Sequence, residues 1–233
     1  MLIPSIDLMG GRIVQLVHGE KLKLAFDDFD YWIQRFAKYP LVQLIDLDAA
    51  MRQGDNRALI ESICRRLPCQ VGGGLKSAGD GRKLLDAGAK RVIYGSSLFG
   101  VAQAGESRRH KIIRLEFADE LKRALGEAAL CFSVDTKRGR VAVKGWKDSV
   151  DLTPQEAIPW LQDFCAAFLY THVDTEGTMQ GFPLDVAATL RATTAKQLIV
   201  AGGIHSRAEV DALDAMGVDA VAGMAVYSGA MEA

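Results

Sequence analysis

The sequence predicts an α/β protein that folds as a (β/α)8 TIM barrel with two similar halves, and three observations support this prediction. The chain has 233 residues, a length that such barrels often reach as one domain. Short apolar segments alternate with longer amphipathic segments, as in parallel α/β folds. Several short motifs recur in the same order about 128 positions later, which indicates an internal repeat. We therefore expect a single barrel over residues 1–233, with half-barrels at approximately 1–128 and 129–233.

The candidate barrel strands are eight short apolar segments. Most of them are continuous apolar runs without a polar residue at every second position, which is typical of strands that are buried on both faces. In chain order they cover residues 2–7, 41–46, 69–72, 91–94, 130–135, 167–173, 198–201 and 220–222.

The candidate helices are the amphipathic segments between these strands. Thr153 is followed by Pro154, which predicts a helix start because threonine is a good N-cap and proline is tolerated at the first helical position. Gly88 and Gly217 follow amphipathic segments and predict helix ends. In chain order the helices are predicted over residues 30–39, 56–67, 78–88, 117–126, 153–165, 183–193 and 206–217.

The repeated motifs lie at the ends of predicted strands. Asp7 recurs as Asp135, 128 positions later, and each of these aspartates ends an apolar segment. A doubly wound open sheet has the same alternation of strands and helices, but a closed barrel explains two matched halves more simply. The other repeated pairs are Asp46 with Asp174, Gly73-Gly74 with Gly202-Gly203, and Gly95 with Gly223.

The repeat also predicts where the active site lies and what chemistry it performs. TIM-barrel enzymes use the C-terminal ends of their strands, where Asp7 and Asp135 fall, so we expect a catalytic carboxylate pair. A turn-capping role is the alternative for each aspartate, but their repetition favours catalysis. The turns at Gly73-Gly74 and Gly202-Gly203 can present backbone N–H groups to phosphate, although glycine pairs are often only tight turns. One such turn in each half predicts a substrate with a phosphate at each end.

The composition argues against several other classes of protein. Twenty-eight basic against 29 acidic residues give no overall field that would attract nucleic acid or an anionic membrane. No apolar run approaches the ~18 residues of a membrane span, and the N-terminal segment lacks the basic region of a signal peptide, so we expect a cytoplasmic protein. The four cysteines form no CxxC pair and predict buried, reduced thiols. The four histidines have no ligand spacing, so we assign no metal.

Several short motifs, taken together in their order along the chain, make this sequence similar to a known protein family. The motifs are Ile6-Asp-Leu, Asp46-Leu-Asp-Ala-Ala, Val71-Gly-Gly-Gly-Leu, Val134-Asp with Gly145-Trp, Gly177-Thr, Ala201-Gly-Gly-Ile and Gly223-Met-Ala-Val-Tyr. With them the sequence resembles the histidine-biosynthesis sugar isomerases, the phosphoribosylformimino-5-aminoimidazole carboxamide ribotide isomerase family, over nearly its whole length. The resemblance implies a (β/α)8 barrel that opens the aminoaldose ring of a bis-phosphorylated substrate and forms the aminoketose. This Amadori rearrangement uses no cofactor.

The resemblance also implies a role for each site residue. Asp7 is implied as the general base, Asp135 as the general acid, and Thr171 as a group that assists at the reacting centre. Trp146, on a loop after the fifth predicted strand, is a core tryptophan or, as the alternative, a ring that stacks on a planar substrate. One phosphate is implied at Gly73, Gly74, Gly95 and Ser96, the other at Gly202, Gly203, Gly223 and Met224, and further substrate contacts at Asp48, Lys76, Trp146, Glu176 and Gly177. The implied partner is this small molecule alone, bound by a monomer.

The sequence departs from the family at several positions. Family members usually carry an aspartate at the position of Glu176, an acidic residue at that of His172 and an arginine at that of Lys76. Lysine keeps the positive charge but lacks the planar fork that grips phosphate bidentately, so we expect activity with an altered substrate preference. Residues 100–118 also differ from the usual family connection.

Three alternatives to the isomerase stay open at this point. The cyclase subunit of imidazole glycerol phosphate synthase shares the barrel, the repeat and both aspartates, and it needs a glutaminase docked on the N-terminal face of the barrel. A single isomerase can also serve both the histidine and the tryptophan pathways. The third alternative is a phosphate-ligand-binding barrel that has lost catalysis, which the departures at positions 76, 172 and 176 favour. The motifs around Asp48, Trp146 and Thr171 look more like the isomerase than the cyclase.

Overall fold

Residues 1–100 and 112–232 are described in a computed structural model of the chain. Among them, eight parallel strands close into a barrel, because the last strand pairs with the first. The other barrel strands pair in chain order, so the predicted TIM-barrel fold is confirmed. The strands are β1 (Leu2–Met9), β2 (Arg12–Val17), β3 (Lys21–Phe26), β4 (Val42–Asp46), β5 (Cys69–Gly72), β6 (Arg91–Tyr94), β7 (Leu130–Ser133), β8 (Thr136–Lys137), β9 (Arg140–Val143), β10 (Asp148–Ser149), β11 (Ala167–Thr171), β12 (Gln197–Ala201) and β13 (Val218–Ala222). The barrel consists of β1, β4, β5, β6, β7, β11, β12 and β13.

Helices follow the barrel strands and cover the outside of the barrel. Two of them begin at capping boxes, in which the N-cap hydroxyl and a carboxylate three residues later each accept a backbone N–H. Ser77 and Asp80 form one box, and Thr153 and Glu156 form the other, at the predicted helix start. The helices are α1 (Phe29–Phe36), α2 (Leu47–Met51), α3 (Arg57–Cys64), α4 (Ala78–Asp86), α5 (Leu115–Leu125), α6 (Pro154–Leu161), α7 (Leu184–Arg191), α8 (Arg207–Ala215) and α9 (Met224–Tyr227).

The structure corrects the ends of several predicted elements. The helix predicted over 153–165 ends as an α-helix at Leu161 and continues as a short 3-10 turn. The strand predicted over 130–135 ends at Ser133, so Asp135 lies in the loop just beyond the strand. Such differences arise because the hydrophobic pattern marks the buried part of an element, whereas backbone hydrogen bonds determine where it ends.

Two antiparallel additions to the barrel were not predicted. β2 and β3 form a hairpin on β1, and β8, β9 and β10 form a small three-stranded sheet after β7. Each addition follows the first strand of a half-barrel, so the additions also belong to the repeat. They were not predicted because strands were expected at continuous apolar runs, and these segments carry charged residues at their ends.

Further features of the described residues bear on the predictions from composition. The four cysteines are buried with free thiols, as predicted. Of the departing stretch 100–118, residues 101–111 lie outside the described residues. Among the helices of residues 1–100 and 112–232, none is long and apolar enough to cross a membrane.

Candidate active site

A cavity of about 1090 Å³ opens at the C-terminal ends of the barrel strands. Asp7, close to the end of β1, and Asp135, just after β7, both line it. Every site residue predicted from the sequence lines this cavity except Asp48. Because pockets for small molecules usually measure about 300–1,000 Å³, the cavity has room for a large ligand with two phosphates.

Asp7 has a sparse polar environment. Its Oδ1 atom accepts a hydrogen bond of 2.8 Å from the hydroxyl of Ser5, the only donor to the carboxylate of Asp7 within the described part of the chain. Burial raises the pKa of Asp7 to about 6, and the Ser5 hydroxyl acts in the opposite direction. A carboxyl group with a pKa close to neutral pH can both take up and release a proton during turnover.

Asp135 has a richer set of donors. Its Oδ1 atom accepts hydrogen bonds from the Ser133 hydroxyl at 2.6 Å and from the backbone N–H of Thr171 at 3.2 Å. Its Oδ2 atom accepts a hydrogen bond of 2.9 Å from Nε1 of Trp146. Burial raises the pKa of Asp135, whereas these donors lower it. The two aspartates therefore lie in different environments, as a pair with separate acid and base roles requires.

Trp146 joins the two halves of the barrel mouth. Besides its bond to Asp135, its indole ring packs against Gly19 in the hairpin between β2 and β3, where a Cβ atom would lie 2.6 Å from the ring. Trp146 itself has a left-handed backbone conformation, with φ of 64°. The ring is partly buried and lines the cavity, so it is not a core tryptophan; its stacking on a substrate stays a prediction.

Glu176 places a third carboxyl group in the cavity, on the loop after β11. Burial raises the pKa of Glu176 to about 8, and the nearby charges of Asp7 and Asp135 raise it further in the same direction. Its backbone carbonyl accepts a hydrogen bond of 2.9 Å from the N–H of His18, which ties this loop to the β2–β3 hairpin. The next residue, Gly177, has a φ of 70° and packs directly on the backbone carbonyl of Leu16, where a side chain would not fit.

We expect Glu176→Gln to remove much of the pH dependence of stability above pH 5. The pKa of Glu176 is about 8 in the folded protein against an ordinary value of 4.5, so the unfolded chain loses this proton first as the pH rises. The free energy of unfolding should therefore fall between about pH 4.5 and 8, by a few kcal/mol in the wild type. Urea unfolding of both proteins at pH 5, 6.5 and 8 measures the difference.

The exposed glutamate Glu232 provides a matched control for this experiment. Glu232→Gln should keep the wild-type decline in stability, because this side chain is exposed to solvent and does not line the cavity. An unchanged decline in Glu176→Gln would contradict the assignment of the raised pKa to Glu176.

The predicted phosphate turns require glycine at their first positions. Gly73 has a φ of 115° and Gly202 a φ of 111°, which other residues rarely adopt. A Cβ atom on Gly73 would fall on the carbonyl oxygen of Asp46, and one on Gly202 would lie 2.5 Å from the carbonyl oxygen of His172. The two turns thus share one geometry across the repeat, and both line the cavity. Phosphate binding at these turns stays a prediction.

The second turn of each predicted phosphate site, at Gly95 and at Gly223, has a different backbone conformation. Gly95 and Gly223 both have negative φ values, so neither of them has the left-handed conformation of Gly73 and Gly202. A Cβ atom on Gly223 would instead collide with the amide side chain of Gln15, a buried residue of β2 that the sequence analysis did not single out. Beside Gly95, the hydroxyl of Ser96 accepts a hydrogen bond of 2.9 Å from the N–H of Lys144. Met224, which follows Gly223, also lines the cavity.

Asp46, the last residue of β4, and Asp48, in α2, both accept hydrogen bonds from nearby groups. The substrate contact of Asp48 stays a prediction. Its Oδ2 atom accepts hydrogen bonds from the N–H of Gly10 at 2.6 Å and from the amide of Asn56 at 2.9 Å, and it does not line the cavity. Asp46 caps α2 through the N–H of Ala49. The spacing of the motifs could not show that Glu176 lines the cavity and Asp48 does not. The repeat places these two residues at equivalent positions, 128 apart.

Cations around the cavity were largely missed by sequence reasoning. Lys76 lines the cavity as predicted, and Arg52, Arg114 and Lys144 line it as well. Arg52, Arg114 and Lys144 come from segments after different strands, and none of these three belongs to a repeated motif. Positive side chains next to the turn at Gly73 favour an anionic ligand there.

The histidines of the described residues each have a different polar partner. Nδ1 of His172 lies 2.9 Å from the hydroxyl of Thr175, and His205 pairs with Glu209 on α8. His110 lies outside the described residues. Within the described ranges, no group of three or more His, Cys, Asp and Glu side chains is arranged to hold a metal ion.

Comparisons with known proteins agree with this geometry. A family model described as "Histidine biosynthesis protein" matches residues 1–232. The chain is 31% identical to a Methanocaldococcus jannaschii protein, named 1-(5-phosphoribosyl)-5-((5-phosphoribosylamino)methylideneamino) imidazole-4-carboxamide isomerase, covering 100% of this chain and 95% of that protein. Proteins with the same name are 32% identical in Methanosphaera stadtmanae, covering 98% and 94%, and 31% identical in Thermus thermophilus, covering 98% and 94%.

Proposed function

The chain belongs to the histidine biosynthesis protein family, and on this premise we propose that it is an isomerase that acts as its named relatives do. Its proposed substrate is 5-(5-phosphoribosylamino)methylideneamino-1-(5-phosphoribosyl)imidazole-4-carboxamide. The reaction converts the aminoaldose to the aminoketose by an Amadori rearrangement. Because C1 of the sugar is reduced while C2 is oxidised within one molecule, the reaction needs no redox cofactor.

One observation carries this proposal. Two carboxyl groups, those of Asp7 and Asp135, lie in one large cavity that is also lined by the glycine turns of both half-barrels. A substrate with a phosphate at each end can place its central reacting sugar near both carboxyl groups while its phosphates reach the two turns. The cations Lys76 and Arg114 add positive charge for such an anionic ligand.

The proposed chemistry transfers protons at two stages, the opening of the ring and the rearrangement between C2 and C1. An acid protonates the furanose ring oxygen as the C1–O bond breaks, which opens the ring and leaves an imine at C1. A base then removes the proton from C2, the double bond shifts to form the enol, and a proton returns to C1 as the ketone forms at C2. Correctly placed acid and base groups each contribute about 10²–10⁴-fold to such reactions.

The environment of Asp7 supports the base role that the resemblance implies. With a pKa of about 6, Asp7 is mostly ionised at neutral pH and still basic enough to accept a proton from carbon. Asp135, the implied acid, is surrounded by N–H donors that favour its carboxylate form. The Ser133 hydroxyl, 2.6 Å from Oδ1 of Asp135, can accept a hydrogen bond from the protonated carboxyl group after it rotates.

The N-terminal end of the barrel does not favour the cyclase alternative. A cyclase fed by a glutaminase on that face needs a passage for ammonia through the barrel. Here Arg91, at the start of β6, donates hydrogen bonds to Gln70 at 3.2 Å and to Gln197 at 2.6 Å. Gln197 in turn donates to Asp219 at 2.6 Å. These bonds link side chains from β5, β6, β12 and β13 across the barrel floor.

A single assay tests the proposed function. We expect the purified chain, as a monomer without added metal or cofactor, to convert the aminoaldose to the aminoketose in the absence of ammonia. Chromatographic separation of the two bis-phosphates measures the conversion. Turnover of the aminoketose only with added ammonia would favour the cyclase, and binding of the aminoaldose without turnover would favour a barrel that has lost catalysis.

A further inference from the structure

Each aspartate of the candidate pair has a serine two positions earlier in the chain. Ser5 precedes Asp7 on β1, and Ser133 is the last residue of β7, before Asp135. Alternate residues of a strand point to the same side, so each serine lies one layer below its aspartate inside the barrel. Both serines are nearly buried, with exposed fractions of 4% and 7%.

The contacts of the two serines are equivalent. The Ser5 hydroxyl lies 2.8 Å from Oδ1 of Asp7, and the Ser133 hydroxyl lies 2.6 Å from Oδ1 of Asp135. In each case the contact is to the same carboxyl oxygen, and the two serines are 128 positions apart, as the aspartates are. The repeat thus contains a unit of serine and aspartate, and the aspartate is only one part of it.

A hydroxyl differs from an N–H group as a partner for a group that must change its protonation state. It can donate to a carboxylate and, after rotation, accept from a protonated carboxyl group, whereas an N–H group can only donate. Ser5 can therefore stay bonded to Asp7 in both states. Asp135 has the same kind of partner in Ser133, but it also has the N–H groups of Trp146 and Thr171.

We propose that Ser5 and Ser133 are paired positioning residues, each of which holds Oδ1 of its aspartate so that Oδ2 faces the cavity. The proposal rests on the isomerase function, because it assigns these serines to the acid–base pair of that reaction. Each serine also stabilises the ionised form of its aspartate by donating to it. Without the hydroxyl, the aspartate would be free to rotate and would bind a proton more tightly.

Other titratable groups act on the same two aspartates, and the serine variants leave all of them in place. Glu176 faces both aspartates from the loop after β11. The remaining groups are Tyr227 of α9 near Asp7, and Cys131 of β7 and Tyr170 of β11 near Asp135.

The first test measures protonation directly in the full-length protein. We expect Ser5→Ala to raise the titration midpoint of Asp7 by about one pH unit, since two or three donated hydrogen bonds lower a carboxyl pKa by about two units. Ser133→Ala should raise the midpoint of Asp135 by less, because two N–H donors remain. Carbon-13 NMR of labelled aspartate side chains measures both midpoints, and Asp7→Asn and Asp135→Asn assign the signals.

Thr136 provides a matched control, because it is also a buried hydroxyl close to the site. It follows Asp135 in the sequence, but its hydroxyl bonds to that of Tyr170 at 2.7 Å. Thr136→Val should destabilise the protein without moving either midpoint. If Ser5→Ala does not fold, the nearly isosteric Ser5→Cys, whose thiol is a weak donor, should give the same upward shift.

The second test uses the pH profile of kcat/KM for the aminoaldose. Ionised Asp7 is the proposed base, so its pKa sets the acid limb of the profile, and Ser5→Ala should move this limb upward by the same amount as the NMR midpoint. The proposal would be overturned if, in both serine variants, the NMR titration midpoints of the aspartates and the acid limb of the pH profile stayed at their wild-type values. A wild-type protein without isomerase activity would instead contradict the proposed function, and the NMR test would still decide whether the serines act on the aspartates.

Discussion

Replacement of Asp7 by asparagine is expected to lower kcat by at least about 10²–10⁴-fold, the usual contribution of a general base or acid. Asparagine keeps the shape of the side chain and can still bond to Ser5, but it cannot accept a proton from C2. Asp135→Asn should have an effect of similar size on ring opening. Because neither carboxyl group belongs to the glycine turns, both variants should still bind the aminoketose product, which isothermal titration calorimetry measures.

An exposed aspartate serves as the control for these variants. Asp211 lies on α8 and pairs with Arg207 at the surface, so Asp211→Asn should retain wild-type kcat. Near-wild-type kcat in either Asp7→Asn or Asp135→Asn would contradict the acid–base assignment. Loss of product binding together with turnover would indicate that the aspartates hold the substrate instead of transferring protons.

The second large effect is expected for Gly202→Ala, which should lower the free energy of unfolding by about 3–5 kcal/mol. Two costs combine at this position. The φ of 111° is unfavourable for alanine, and the new Cβ atom would lie 2.5 Å from the carbonyl oxygen of His172. The N–H of His172 is itself bonded to the carbonyl of Ala201 at 2.9 Å, so this backbone cannot easily move away. Urea unfolding measures the loss.

The variant Gly217→Ala distinguishes the effect of the backbone conformation from the effect of the close contact. The φ of Gly217 is 71°, and a Cβ atom would meet no atom within 4 Å. Gly217→Ala should therefore lose only the conformational term, about 1–2 kcal/mol. Equal losses in the two variants would show that the close approach to His172 has no energetic effect. If Gly202→Ala folds, we also expect it to bind the aminoketose more weakly than Gly217→Ala, because only Gly202 lies in a predicted phosphate site.

The order of the elements could be predicted because the barrel strands have a simple pattern. β5 and β6 were predicted with their observed bounds, since each is a short run that is directly followed by glycine. The hairpin of β2 and β3 was not predicted, because its strands are identified by their pairing with β1 and not by an apolar run. This hairpin contributes Gln15 and Gly19 to the cavity, so part of the site was missed with it.

By itself, the sequence determined the barrel, its two halves, the aspartates at positions 7 and 135 and the glycine turns. These features repeat along the chain, and they lie at the ends of apolar runs, so local pattern and spacing are sufficient to find them. Only the tertiary structure decided that Trp146 bonds to Asp135, that Glu176 shares the cavity with both aspartates, and that Asp48 lies outside it. These relations join residues from different loops, and their positions depend on how the strands are arranged around the closed barrel. Spacing along the chain does not contain that information.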